Sequence, residues 1–523
     1  METRRPSRRS QDMPPMTSQP YATRHRHGRT QRREGELYRA GASPFNTHNV
    51  PHGGRADGVS ARPRAGMNVR FVIALVAIIA IIAAIAIGAF SCTSKTNAAQ
   101  EPLEVTDGSP ASANSSQTLV LNDAVRGEAP VSGVPERFRD CEETVDGNGI
   151  VHGTTPDGIR YTVLGRGELA QSPDRVTLCA IGDQLVTEYA LPFADAYAGK
   201  TGDGEYDFTP WYREVKPFIQ EHDLRFVNQE TVMVSEEKGY SYSGYPTFNS
   251  PESAAASVAD TGFNLVNFAT NHTYDLGTFG IEASHEVWDR YPQLLVGGSY
   301  LTQEDRETVH MIERNGLTFA FLAYTYGDNA FSDASQMPNS YYSCAFDKDA
   351  IAADVQRAQK VADAVIVSMH WGTEYVNEPN EQQVEYAQFL ADLDVDLVLG
   401  THCHTIQPVE YVTGETGNTI PVVYGLSDFI SCWTITDTII SGIFACDFVP
   451  QEDGSIAVEN LEWHPTIEWD DGSGQPYVRL LADMDEATTN ANTRTPDVGD
   501  DYTYLRDLTN EVIGDDAATI VWE

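Results

Sequence analysis

The stretch VDLVLGTHCH, residues 395–404, runs from an apolar, β-branched segment into a glycine and two histidines two positions apart. A short continuous apolar run bounded by turn signals fits a strand buried on both faces. His402 and His404 can both project into one site where the backbone turns after such a strand. Cys403 between them points the other way on a strand and reads as a structural thiol.

The same pattern recurs along the chain. VTLCAIG (176–182) is followed by Asp183, and LRFVN (224–228) leads into Asn228, Gln229 and Glu230. FNLVNFA (263–269) precedes Asn271-His272, DAVIVSM (363–369) precedes His370-Trp371-Gly372, and PVVYGL (421–426) precedes Ser427-Asp428. LTFAFLAY (317–324) is a further strand of this type. Helical candidates lie between them: SPESAAASVADTG, with Ser250 as N-cap and Pro251 in the first turn, LGTFGIEASHEVWDRY, DKDAIAADVQRAQKVAD and PNEQQVEYAQFLADLD. Strands alternating with helices predict an α/β domain, and in such sheets ligand sites form beyond the carboxyl ends of the strands. That is why residues so distant in sequence are grouped here.

Their chemistry suits metal ions. Carboxylate, amide oxygen and imidazole together favour Mn, Fe or Zn. Two such cations roughly 3.5–4 Å apart clamp an oxyanion and acidify a bridging water. The site then needs one bridging carboxylate, for which Glu230 and Asp183 both qualify. It also benefits from an acid for the leaving group, a role His272 suits, with Asp275 close enough in sequence to orient it. A single histidine after a strand is more often a hydrogen-bonded structural residue, and His285, His310 and His464 are read that way. Asp428 reads equally as a turn residue or as support for a ligand. The joint pattern, with histidine at three strand ends, carries the metal reading.

Around this region the chain is uneven. Residues 1–70 hold 14 Lys and Arg against 5 Asp and Glu, so the formal charge of −41 leaves −50 on the remainder. The divider is FVIALVAIIAIIAAIAIGAF (71–90), 20 residues without a charge. As a helix it spans ~30 Å, the thickness of a hydrocarbon core. Arg62, Arg64 and Arg70 precede it, and basic flanks stay cytoplasmic. The expectation is a single-pass cell-membrane protein with its N-terminus cytoplasmic and its main domain extracytoplasmic. A cleaved signal peptide has a shorter basic start and a shorter apolar core. Phe90-Ser91 is a poor context for lipidation at Cys92.

The expected organisation is a disordered basic tail (1–66), a transmembrane helix (67–92), a spacer with an unassigned segment (93–172), the α/β domain (173–450) and an acidic C-terminal extension, partly β (451–523). In the last, IAVENLEWHP reads as a strand, with fraying beyond it. Six cysteines follow the span: Cys141, Cys179, Cys344, Cys403, Cys432 and Cys446. Disulfides are possible outside the cell, but there is no CxxC spacing and the pairings are not legible.

These motifs resemble the CapA family of poly-gamma-glutamate capsule synthesis proteins, whose domain is similar to the calcineurin-like metallophosphatases. Gly182-Asp183, Asn228-Gln229-Glu230, Asn271-His272-Thr273-Tyr274-Asp275-Leu276-Gly277, His370-Trp371-Gly372-Thr373-Glu374, Gly400-Thr401-His402-Cys403-His404 and Tyr424-Gly425-Leu426-Ser427-Asp428-Phe429 follow the family's motifs in order. The resemblance implies a four-layer α/β/β/α sandwich. It makes Asp183, Glu230, Asn271, His370, His402 and His404 ligands of divalent metal ions, two in number, and His272 the general acid. One departure from the metallophosphatase pattern is Leu185, where Asp-x-His would place a ligand.

The resemblance implies a capsule or surface-polymer protein acting outside the membrane on poly-gamma-glutamate or a related anionic polymer, in synthesis, export or trimming, within a polymer-synthesis complex. An extracytoplasmic metal-dependent phosphoesterase and a non-catalytic polymer-binding scaffold are the alternatives. A nucleic-acid partner is not expected. So acidic an ectodomain repels a polyanion unless cations screen it or the site is locally positive.

Overall fold

A computed structural model of the protein describes residues 136–522 except 333, 434, 496, 497, 499, 500 and 515. The expected tail, apolar span and most of the spacer lie outside the described residues. No helix among the described residues is long and apolar enough to cross a membrane.

The chain enters through three short strands, β1 (Glu142–Val145), β2 (Val151–Thr154) and β3 (Arg160–Leu164). Four strands follow, β4 (Val176–Gln184), β5 (Leu224–Gln229), β6 (Leu265–Asn267) and β7 (Leu295–Gly297). Next come β8 (Val309–Arg314), β9 (Leu317–Thr325), β10 (Ala364–His370), β11 (Leu397–Thr401), β12 (Val409–Thr413) and β13 (Thr419–Val423). The last are β14 (Asp428–Ile430), β15 (Ile440–Pro450), β16 (Ile456–Trp469), β17 (Tyr477–Leu480) and β18 (Thr519–Ile520).

They form two sheets. One runs β1-β2-β3-β8-β9-β10-β11-β13-β12, and the other runs β17-β16-β15-β4-β5-β6-β7, with β14 beside β4 and β18 beside β16. The centre of each is parallel: β9, β10, β11 and β13 in the first, β4 to β7 in the second. The seven apolar runs of the sequence fall on β4, β5, β6, β9, β10, β11 and β13.

Side-chain alternation explains why these runs are apolar throughout. Phe226 and Ile366 point into a core between the sheets, where Phe226 meets Phe321 edge to face at 5.9 Å. Their neighbours point outward, Val227 into a core beneath the helices Ser253–Thr261 and Gly277–Trp288. Val365 and Val367 enter a third core beneath the helices Lys348–Ala358 and Glu381–Asp392. The order of layers is therefore helices, sheet, sheet, helices, and each central strand is apolar on both faces.

Three local features differ from the sequence reading or extend it. The helix expected to be capped by Ser250 begins at Ser253, with Glu252 at the N-cap position. Ser250 is buried and bonds Thr231 instead, because its backbone is drawn into a bridge with Met233. The unassigned segment before β4 forms the ribbon β1–β3, which extends the first sheet through the parallel pair β3 and β8. Where fraying was expected beyond the strand IAVENLEWHP, the described residues form further elements. A helix, Asp501–Val512, and β18 bring Leu505, Ile513 and Ile520 into the core between the sheets, and that burial holds the segment.

Candidate metal centre

The carboxyl edges of the two sheets are sewn together where the chain crosses between them. Leu426 N–H donates to Gly400 O at 3.1 Å, and Asp183 N–H to Ser427 O at 2.9 Å. The approach is close enough to exclude side chains. A Cβ on Gly182 would lie 1.8 Å from Ser427 O, and one on Gly400 would lie 2.1 Å from Tyr424 O. These two glycines let the strand ends, and the polar residues after them, converge.

On the second sheet, Asp428, Asp183, Asn228 and Asn267 stand side by side across β14, β4, β5 and β6. Asn267 Nδ2 donates to Asn228 Oδ1 at 2.6 Å, and Asn228 Nδ2 donates to Asp183 Oδ1 at 2.8 Å. This amide relay fixes one oxygen of Asp183 and leaves Oδ2 toward His404 Nδ1, 3.3 Å away. On the first sheet His370 is in register with Thr401, whose hydroxyl lies 2.9 Å from His370 Nδ1. That contact turns His370 Nε2 toward Asn271 Oδ1 at 2.8 Å.

After β11 the backbone leaves strand geometry: His402 has φ +93° and His404 has φ +57°. Both are left-handed, a conformation that non-glycine residues hold under strain and that concentrates at functional sites. The turn brings both rings inward, with His402 4.8 Å from the His370 ring and 5.9 Å from the His404 ring, centroid to centroid. Cys403 is buried elsewhere, its Sγ 3.1 Å from Thr405 O, and burial pushes its thiol up to about 12. Among the described residues Cys403 stands in no group of candidate ligands.

Glu230 lies at the centre. Its Oε1 is 3.9 Å from His370 Nε2 and 3.9 Å from His404 Nε2. Ligand atoms of Glu230, His370 and His402 lie within 4.8 Å of one another, and so do those of Asp183, Glu230 and His404. Glu230 belongs to both groups, so of the two candidate bridging carboxylates it is the one so placed.

The residues fit a cation pair. Both oxygens of Glu230, His402 Nδ1 and Asp428 Oδ2 are buried without a hydrogen-bond partner, and such groups are rare unless something else satisfies them. Burial, then the charge of Asp183, pushes the Glu230 carboxyl well up. Burial, then neighbouring imidazoles, holds His370 and His402 well below the usual range. They are therefore neutral, the form that ligates. Burial also opposes charge on His404, but Asp428, Glu230 and Asp183 outweigh it and raise it.

His272 stands beside this group rather than in it. Its Nδ1 is 2.8 Å from Asp275 Oδ2, Phe248 packs edge-on at 4.6 Å, and its Nε2 is 3.4 Å from Asn329 Nδ2. Asn329 comes from the loop after β9, the one central strand whose polar continuation the sequence reading did not pursue. Leu185 is buried and aliphatic, so no ligand follows Asp183. Asp428 Oδ1 lies 2.7 Å from His404 Nδ1, which makes it the residue that orients His404.

The segment that follows Asp428 is held from outside this set. Glu468 of β16 accepts from Cys432 N–H at 3.0 Å and pairs with Arg494, whose Nη2 donates to Trp433 O at 3.1 Å. The six cysteines are free thiols, all buried except Cys141, which is half-buried.

Comparison with known proteins agrees on one region. The family model described as bacterial capsule synthesis protein PGA_cap matches residues 177–432. The PGA biosynthesis protein CapA of Bacillus subtilis (strain 168) is 28% identical over 181 residues, 34% of this chain and 46% of that protein. The capsule biosynthesis protein CapA of Bacillus anthracis is 24% identical over 272 residues, 50% of this chain and 62% of that protein. The chain thus spans about half the length of these relatives. Among solved structures, NAD nucleotidase of Haemophilus influenzae superposes with a TM-score of 0.36 at 10% identity, covering 66% of this chain and 64% of that one, too loosely to place any residue.

Proposed function

Since residues 177–432 form a domain of the PGA_cap family of bacterial capsule synthesis proteins, we propose that the chain acts on an anionic surface polymer of the poly-gamma-glutamate type, in its synthesis, export or trimming. In this reading Asp183, Glu230, Asn271, His370, His402 and His404 hold two divalent cations, Mn, Fe or Zn by the chemistry of the donors. The observation that carries it is Glu230, fully buried with both carboxylate oxygens unpartnered among three imidazoles. A charge so placed is tolerated when cations neutralise it. The layered sheets then form a sandwich of the metallophosphatase type.

Bound there, the cations supply positive charge for an oxyanion and a water acidified toward neutral pH. The protein's own groups do the rest. Asp275 accepts from His272 Nδ1–H and orients the ring, which leaves Nε2 as the nitrogen that would exchange a proton with the leaving group. Asn228 and Asp428 keep Asp183 and His404 in place. The cations also answer the electrostatic objection, because they give a polyanion a positive target on a chain of formal charge −41. The apolar stretch 71–90 and its arginine flank support a single membrane span with the domain outside, where a polymer-synthesis complex would meet it.

The His272–Asp275 pair favours a second reading, a phosphoesterase, over a scaffold with no chemistry. The test uses the full chain purified without chelator. Its metal content is measured, and it is then offered poly-gamma-glutamate and a phenyl phosphate ester. Absence of bound metal after loading with Mn sinks the metal-centre reading. Cleavage of the ester alone replaces the polymer by a phosphoester substrate.

A further inference from the structure

We propose that Glu374 is a further ligand of the centre, beside His402 and His404, the second of which belongs to the side where the described donors are one fewer. The inference rests on the two-cation reading. On one side Glu230, His370, His402 and the Asn271 oxygen converge, which is four donors. On the other side only Asp183, Glu230 and His404 are grouped, and the neighbouring Leu185 offers nothing.

Glu374 lies in the loop that leaves β10, and that loop is strapped to the segment bearing the two histidines. Trp371 N–H donates to Thr401 O at 3.1 Å, Trp371 Nε1 to Tyr424 O at 2.9 Å, and Tyr375 N–H to Cys403 O at 2.8 Å. Between these anchors the backbone passes through φ +106° at Gly372 and φ +63° at Tyr375. The Tyr375 ring lies over His404 at 5.7 Å. The loop thus carries the Glu374 carboxylate to the histidines, and ligand atoms of Glu374, His402 and His404 lie within 4.8 Å of one another. His402, which this group shares with the Glu230 and His370 side, has its Nδ1 buried and without a hydrogen-bond partner, so a donor beside Glu374 awaits a cation.

Glu374 differs from the other six in one respect: it is exposed while they are buried. It closes the centre from the solvent side, the side from which substrate arrives. The rival explanation is an ordinary solvated acid that adds negative charge near the imidazoles without touching a metal. Glu378 provides the comparison, since it is an exposed carboxylate of the same loop and stands in no ligand group among the described residues.

The experiment titrates the full chain with Mn2+ alone and counts bound ions by electron paramagnetic resonance and elemental analysis. Wild type, Glu374→Gln and Glu378→Gln are compared, with folding followed by circular dichroism. The expected result is two Mn in wild type and in Glu378→Gln. In Glu374→Gln one is retained and the second is weakened at least ~10-fold, the scale at which even supporting groups act on metal affinity. Two equally tight ions in Glu374→Gln overturn the inference and leave the metal centre standing. Equal weakening in both variants also overturns it, because charge alone then accounts for the loss. Fewer than two ions in wild type overturns the two-cation reading and this inference with it.

Discussion

His404 and Asp428, 24 residues apart in sequence, meet at 2.7 Å between Nδ1 and Oδ1, and this contact leaves His404 Nε2 as the nitrogen facing Glu230. A carboxylate behind a ligating imidazole fixes its tautomer and raises its basicity. Asp428→Asn should therefore weaken Mn binding by about 10- to 100-fold while the far-ultraviolet circular dichroism is unchanged. Competition against a chelator measures it, and undiminished affinity would remove Asp428 from that role.

His402 offers a test that separates ligation from folding. Its ring nitrogen Nδ1 has no hydrogen-bond partner, and its backbone is left-handed. Both His402→Ala and His402→Gly should lose metal. Without metal, His402→Gly should be the more stable of the two by about 1 kcal/mol, because glycine adopts that φ without strain. Chemical denaturation in the presence of chelator decides it; the reverse order would mean that the turn stores no strain.

Asp275→Asn keeps the shape of its side chain but removes the carboxylate that accepts from His272 Nδ1–H and orients the ring. Turnover of whichever substrate the wild type accepts should drop about 10²- to 10⁴-fold, the usual worth of a positioned proton donor. Metal content should not change. A variant that lost metal instead would place Asp275 in support of the cations.

Gly400→Ala tests the seam between the sheets. The added methyl would meet Tyr424 O and Trp371 Nε1, neither of which can move without breaking the bond that joins them. Overpacking of this kind costs about 1–3 kcal/mol, to be read from a shifted denaturation midpoint.

His285 should make stability fall on acidification. Burial beneath the sheet, beside Ser299 at 3.0 Å, pushes its imidazole down to about 4. The folded value lies below that of a free histidine, ~6.5. Between those pH values the unfolded chain binds the proton more readily, so stability is lost as pH falls from about 6.5 to about 4 and levels off below. His285→Gln should flatten that part of the profile relative to wild type. Parallel profiles would show that the histidine takes up its proton as readily in the fold as in the unfolded chain.

Much of the centre was legible because parallel strands buried on both faces are written as unbroken apolar runs, and each such run points to the polar residue at its end. The runs point to the polar clusters that hold Asp183, Glu230, Asn271, His370, His402 and His404, the family resemblance picks these six out of them as ligands, and the structure brings their side chains together. What stayed hidden lacks that signature. β14 has three residues, too few for any period, so Asp428 read equally as a turn. The ribbon β1–β3 alternates exposed and buried positions over four or five residues a strand and gains its meaning only from pairing with β8. Ser250 looked like a cap because Ser-Pro usually is one, and a tertiary bridge overrode it. Glu374 is invisible to strand logic, since its position depends on a loop strapped across to another strand.

The contact between Glu468 and Cys432 has a consequence for anyone grafting this domain between relatives. The segment shared with the family ends at residue 432, and the acid that holds its last amide lies 36 residues further on. A chimera exchanging only the matched stretch would leave Glu468 and Arg494 facing a foreign loop. The stretch that is recognisable by descent is therefore not one that can be transplanted alone; β16 and the Arg494 segment must travel with it.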